Sequence, residues 1–139
     1  MDVFTKDEAM LAVVWYIAHM NGVTDKEKNI IATALIPMEK ISGAAEEKAR
    51  AKWDFLAGRD PRIIDDLAVL AARHLSIEER VRILAWGLIV AGGSKETEGA
   101  EKLEVDIIID LALRFRVETS DIILKARAIA MQMRKELKG

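Results

Sequence analysis

The chain has 139 residues, of which 51% are hydrophobic and 32% charged, and its formal net charge is −2. This length fits one domain with a substantial core, and the composition is that of a folded protein rather than a disordered one. The near balance of charge argues against a dedicated nucleic-acid binder, and the absence of cysteine excludes disulfides, thiolate metal sites and cysteine nucleophiles.

Helix signals recur along the chain, whereas sustained β-branched alternation is missing. Three segments have the capping-box pattern, in which a hydroxyl caps the helix and a glutamate three residues later reaches back: Thr5 with Glu8, Thr24 with Glu27, and Ser76 with Glu79. Asp60 followed by Pro61 is a further helix start. We predict an all-α fold of about seven helices over 5–21, 24–38, 43–57, 61–74, 77–91, 99–116 and 120–137.

The first and fifth predicted helices are apolar on nearly every face, over residues 9–18 and 83–91. Helices of this kind are buried, so we expect these two to pair at the centre. Gly87 lies inside the fifth helix, where glycine costs about 1 kcal/mol relative to alanine, and its presence predicts a close helix crossing. Trp15, Trp53 and Trp86 are interpreted as core anchors.

These two central helices also belong to an internal repeat. Residues 14–22 align with 85–93, which places Trp15 on Trp86 and Gly22 on Gly93 at an offset of 71 residues. Farther on, Glu27 aligns with Glu104 at an offset of 77, so the second copy has six extra loop residues. A duplicated unit predicts internal pseudo-twofold symmetry.

The pattern of a helix, a short polar loop, a glutamate and a second helix, given twice, resembles the TerB-like family of tellurite-resistance proteins. The resemblance lies in residues 18–27, 91–93 and 104–112, and in a short turn at 115–121 into the last helix. It implies a single TerB-like helical domain over 1–139 and a bacterial stress-response role. It also implies binding of a metal ion such as Ca²⁺ by acidic residues in the two loops.

The chain departs from the family pattern at the loop acids. Asn21 and Gly92 stand where the family has aspartates, and only Glu27 and Glu104 match. Because Ca²⁺ binds through about six to eight oxygen ligands, we expect family metal binding to be weakened or lost.

Two alternatives remain for the acidic residues of the second loop. In one, Glu96, Glu98, Glu101 and Glu104 are close enough in this loop to converge on a cation, and the protein is a divalent-cation sensor that uses Glu101 and Glu104 together with Glu27 of the first copy. In the other, the loop is solvated and its last acids favour the start of the next helix through the helix dipole.

Other arrangements of ionisable residues indicate structure rather than chemistry. Lys102, Asp106, Asp110 and Arg114 follow one another at i, i+4, a spacing typical of surface ion pairs on a helix. Glu-x-x-His pairs, phosphate-binding loops and nucleophile motifs do not occur in the sequence. We therefore expect no enzymatic activity, and a hydrolase with an unrecognised carboxylate site is a third hypothesis.

The last predicted helix combines an apolar stripe with basic charge. The stripe consists of Ile122, Ala126, Ile129, Met133 and Leu137, and the basic residues are Lys125, Arg127, Arg134, Lys135 and Lys138. Such a helix either packs in the bundle or docks on a protein partner, a second copy or an anionic membrane. Met131 and Met133 are interpreted as core gap-fillers.

The first residues are acidic and lack the order of a signal peptide, and the longest apolar run has ten residues. We therefore expect a cytoplasmic protein without a transmembrane segment. The resulting hypothesis is a non-enzymatic interaction module of the tellurite-resistance and stress-response type, with a protein partner or self-association.

Overall fold

Six helices build the described part of the chain. A computed structural model describes residues 4–19, 25–57, 68–69, 72–92 and 98–138. The helices are α1 (Lys6–His19), α2 (25–38), α3 (Gly43–Ala57), α4 (Ile77–Gly92), α5 (Glu98–Phe115) and α6 (Thr119–Lys138). The prediction of an all-α fold is confirmed, since these ranges contain no strand.

The prediction of about seven helices is corrected to six for the described ranges. The difference lies at the helix predicted over 61–74, most of which is outside the described residues, including Pro61. Of that segment, Ala68, Val69 and Ala72 are described as helical, and all three are buried.

The pairing of the two most apolar helices is confirmed. α1 packs against α4, and α4 in turn contacts α2, α5 and α6, so α4 is the helix around which the others are arranged. A Cβ atom placed on Gly87 would lie 2.6 Å from Cδ1 of Ile17, which is fully buried. The close crossing predicted from Gly87 is therefore present, because a larger residue at this position would require the buried Ile17 side chain to shift.

α2 is interrupted by a π-helical segment, Ile31–Leu35, between the α-helical stretches Asp25–Ile30 and Ile36–Met38. Within it, the Ile36 N–H donates to the Ile31 carbonyl, five residues back. Pro37 follows in the next turn, and a proline there cannot donate to the carbonyl four residues back and would crowd it. The wider turn accommodates that proline.

α2 and α5 end in the same type of turn. Lys40 (φ 54°), two residues after Met38, and Arg116 (φ 58°), directly after Phe115, have left-handed backbone conformations. In each turn the next N–H, of Ile41 or Val117, donates to a carbonyl five residues back at 3.0 or 3.1 Å. This is the Schellman arrangement, formed here twice without glycine, and it leads into α3 and α6.

Two of the predicted capping boxes are formed. The Thr5 N–H donates to Oε1 of Glu8 and the Glu8 N–H to Oγ1 of Thr5, both at 3.3 Å. Ser76 and Glu79 exchange the same two bonds, each at 3.1 Å. The backbone and hydroxyl of Ser76 lower the pKa of the Glu79 carboxyl. The third predicted box begins at Thr24, which is outside the described residues.

Candidate functional site

The residues predicted to hold a metal lie on two different helices. Glu27 is in the first stretch of α2, and Glu101 and Glu104 are in the first two turns of α5. Their side chains are outside the described part of the chain, as are residues 20–24 and 93–97 of the two loops. Among the described side chains, no group of three or more His, Asp or Glu residues could hold a metal ion.

A carboxylate that the sequence did not single out joins α2 to α4. Glu39, whose side chain is only 6% exposed, follows the last turn of α2. Its Oε1 accepts a hydrogen bond from Nε1 of Trp86 at 2.9 Å and another from Nε of Arg82. Trp86 is fully buried, so its indole N–H needs an acceptor inside the protein. Both donors lie one turn apart on α4, and the cluster therefore fixes α2 against that helix.

A second buried carboxylate joins α1 to α3. Glu8 is 4% exposed, and its Oε2 lies 2.6 Å from Nζ of Lys52, which also lies 5.2 Å from the centre of the Phe4 ring. Burial would raise the pKa of Glu8, but hydrogen bonds from Lys52 and Thr5 outweigh burial and lower that pKa below its ordinary value. The Glu8 carboxylate is thus held ionised in the core.

The predicted ion pair on α5 and the three predicted core tryptophans lie as follows. Nε of Arg114 lies 3.3 Å from Oδ2 of Asp110, which confirms the predicted ion pair, whereas the Lys102 side chain is outside the described residues. All three tryptophans are buried and act as core anchors. The rings of Trp15 and Trp53 meet edge to face, with centroids 6.1 Å apart.

An open groove of about 540 Å³ lies between the start of α4 and the first half of α6. α4 contributes three of its lining residues and α6 four: Ile77, Glu78, Val81, Asp121, Leu124, Lys125 and Ala128. Ile77 is 64% and Leu124 61% exposed, while Val81 at the base is buried. The groove thus presents apolar side chains to the surface between two carboxylates and one ammonium group.

Arg80 holds the two walls of this groove in place. Its Nε donates to the carbonyls of Ala72 and Leu75 at 2.9 and 3.0 Å, and its Nη2 to that of Arg73 at 3.0 Å. Its Nη1 donates to the Phe115 carbonyl at 3.2 Å, at the end of α5. Because α6 begins four residues after Phe115, this guanidinium ties the start of α4 to the segment that leads into α6.

α6 has two apolar stripes, of which the sequence predicted one. The inner stripe, Ile122, Ala126 and Ile129, is buried, and α6 packs against α4. This confirms the core-packing alternative for the last helix, and Met133 packs against the same core. The outer stripe is Leu124, Ala128 and Met131, all exposed. The interpretation of Met131 as a core gap-filler is wrong, because this side chain is 60% exposed.

The sequence contained a signal for the outer stripe. Leu124, Ala128 and Met131 are spaced at i, i+4 and i+7, which places them on one face of a helix. The stronger inner stripe, with three β-branched or small residues at the same period, obscured it. No helix of the described ranges is long and apolar enough to cross a bilayer.

Comparisons with known proteins give no relative. No family model matches the chain, and neither a curated protein nor a solved structure matches it.

Proposed function

We propose that this protein is a non-enzymatic interaction module that binds a protein through the groove between α4 and α6 and the adjoining outer stripe. The observation that carries the proposal is the contiguity of the exposed apolar residues. Ile77, Leu124 and Ala128 line one depression, and Met131 continues it along α6. Isolated exposed apolar side chains are ordinary, whereas contiguous ones rimmed by charges mark interaction surfaces.

The lining chemistry also favours binding over catalysis. Isoleucine, valine, leucine and alanine offer area for apolar contact, and the charges of Glu78, Asp121 and Lys125 at the rim provide orientation. The two buried carboxylates elsewhere, Glu8 and Glu39, are engaged by cations and N–H donors that fix helices to one another. Their partners give both groups a structural role.

We further propose a TerB-like arrangement with internal pseudo-twofold symmetry, as in tellurite-resistance and stress-response proteins. Two features support it. The turns at Lys40 and Arg116 have the same conformation and are each followed, three residues later, by a helix. That helix, α3 or α6, packs on the first helix of its own half, α1 or α4.

Site-specific photo-crosslinking in the native cell tests the interaction role. A photoreactive amino acid is placed at Leu124, inside the groove, or at Lys48, an exposed position on α3. The proposal expects a discrete crosslinked protein, either another polypeptide or a second copy, from position 124 and none from position 48. Equal yields at both positions, or none at either, would remove the groove as a binding surface.

The loss of family metal binding is tested by thermal unfolding with EDTA and then with millimolar Ca²⁺. A ligand that binds the folded state raises its stability by mass action, and tenfold over the Kd this amounts to about 1.4 kcal/mol. We expect no change in Tm, because Asn21 and Gly92 replace the loop acids. A rise in Tm that disappears in Glu104→Gln would instead support the cation-sensor alternative.

A further inference from the structure

The outer stripe of α6 has opposite charges at its two ends. Ala128 is its middle residue, Asp121 precedes Ala128 by seven residues, and Lys135 follows it by seven. All three are exposed. Seven residues are close to two helical turns, so both charges lie on the face of the stripe, each about 10.5 Å along the helix from Ala128.

Charges of the same sign reinforce each end. Glu78 of α4 lines the groove beside Asp121, and Glu118 is exposed just before α6 begins. Arg134 adjoins Lys135 at the other end and is exposed as well. The two ends of the surface therefore differ in charge, with Glu78, Glu118 and Asp121 at one end and Arg134 and Lys135 at the other. Lys125 and Arg127 lie between the ends beside the apolar side chains, and Glu136 follows Lys135.

Resting on the proposed interaction role, we infer that the occupant of this surface is a second copy of the chain, with the two α6 helices antiparallel and crossing at Ala128. A twofold axis at Ala128 places Asp121 of each copy opposite Lys135 of the other. The arrangement is isologous, so each copy offers the same patch and both ion pairs form at once. Alanine at the crossing point lets the two helices approach closely.

The same axis gives the groove an occupant. Residue 131 of one copy falls opposite residue 125 of the other, at the edge of the groove formed by Leu124 and Ile77. Met131 is long, flexible and 60% exposed, and such side chains fit irregular apolar depressions. Each copy thus inserts Met131 into the groove of its counterpart.

The charge pattern favours a second copy over an anionic membrane. Asp121, Glu78 and Glu118 would be repelled by acidic lipid headgroups, so the acidic half of the surface opposes membrane docking. In the antiparallel pair, Asp121 faces Lys135 of the other copy instead.

Sedimentation equilibrium of the full chain, from micromolar to millimolar concentration at low salt, is the first test. We expect a reversible monomer–dimer equilibrium. Leu124→Asp should raise its Kd by at least about tenfold, since it buries a charge in the groove. Leu113→Asp is the matched control, because Leu113 is 74% exposed but lies on α5, away from the proposed interface. The dimerisation Kd of this variant should equal that of the original chain. Circular dichroism confirms that both variants remain folded.

Charge reversal tests the antiparallel register. Asp121→Lys and Lys135→Asp each place like charges opposite one another twice in the pair, so each variant alone should dimerise more weakly by about tenfold. Mixing the two variants restores one native and one reversed ion pair, and the mixture should dimerise as the original chain does. The double variant carrying both changes should recover as well. An effect on the fold of the single chain would not be rescued by mixing.

The inference is overturned if the original chain stays monomeric throughout, or if Leu124→Asp and Leu113→Asp behave alike. It is equally overturned if a monomeric chain sediments with phosphatidylglycerol vesicles and Leu124→Asp abolishes that binding. Failure of the wider interaction role is a separate result. A monomer that crosslinks from position 124 to a different protein keeps the groove as a binding surface and loses only the second copy as its occupant.

Discussion

α3 packs on α1 and α6 packs on α4, yet the outer surfaces of α3 and α6 differ. Each of the two helices begins three residues after a basic residue with a left-handed backbone conformation, Lys40 or Arg116. The exposed positions of α3 include Glu47, Lys48, Arg50 and Asp54, and no large apolar side chain is exposed along its described residues. α6 exposes Ile123, Leu124 and Met131.

This difference distinguishes the apolar side chains that the packing of the bundle requires from those that it does not require. A helix in this position packs well with a charged outer face, as α3 shows. Under the proposed function, the apolar outer stripe of α6 serves contact with another molecule rather than packing of the bundle. The inner faces of both helices, by contrast, are apolar and buried.

The largest effects are expected on the two inner faces. Ile129→Ala on α6 should lower the free energy of unfolding by about 2–5 kcal/mol, and Trp53→Ala on α3 by about 3–5 kcal/mol, since both leave cavities in the core. Urea denaturation measures both. A loss below about 1 kcal/mol for either one would show that its inner face is not part of the core.

A smaller loss in the free energy of unfolding is expected at the ion pair between Glu8 and Lys52, which joins α3 to α1. Glu8→Gln retains a carbonyl oxygen for the Thr5 cap but removes the ion pair with Lys52, and should cost about 1–2 kcal/mol at neutral pH. Because the folded-state pKa of Glu8 is lowered, this stabilisation is complete above the unfolded-state pKa and is lost as pH falls through the folded-state pKa. Denaturation at several pH values should show the two proteins converging in acid. A gap that stays constant would contradict the assigned pairing.

At the contact between the two central helices, Gly87→Ala should lower the free energy of unfolding by about 1 kcal/mol. Gly87→Ala improves helix propensity but drives a methyl group against Ile17, and overpacking of this kind outweighs the gain. Ile17→Val removes the offending Cδ1 atom. In a double-mutant cycle, Gly87→Ala should therefore be destabilising alone and neutral or stabilising beside Ile17→Val. Additive effects would mean that the crossing is not the reason for glycine.

The smallest effect on stability is expected on the outer stripe. Leu124→Glu gives α6 the kind of side chain that α3 exposes, so the free energy of unfolding of the monomer should change by no more than about 0.5 kcal/mol. Leu124→Glu should nevertheless abolish association. Urea denaturation at low protein concentration gives the first quantity, and sedimentation gives the second. A large loss of stability would place Leu124 in the core and remove the contrast with α3.

Much of the fold could be predicted from the sequence because its signals are local or periodic. Residues only a few positions apart in the sequence predict the capping boxes at Thr5 and Ser76 and the burial of α1 and α4. They also predict the close helix crossing at Gly87. The links between Glu39 and Trp86 and between Glu8 and Lys52 could not be predicted, since they join residues more than forty positions apart. The turns at Lys40 and Arg116 lack the glycine that normally marks them.

The candidate site was harder to predict for a physical reason. A groove depends on how two helices lie side by side, and neither Ile77 nor Leu124 signals that by its own position in the sequence. The exposure of Met131 likewise depends on which face of α6 packs against the other helices. The periodicity identified an apolar helix, and the packing against α4 decided which stripe remained outside.

The most direct test of the outer stripe is methyl NMR of methionine over a dilution series. Met131 and Met133 are two residues apart on α6, but Met131 is exposed whereas Met133 packs against the core. With both methyl groups ¹³C-labelled and assigned, we predict that the Met131 signal shifts or broadens as concentration rises, while the Met133 signal does not move. Two signals that respond alike, or a Met131 signal that never changes even in the presence of native cell extract, would contradict the assignment of the outer stripe as the binding surface.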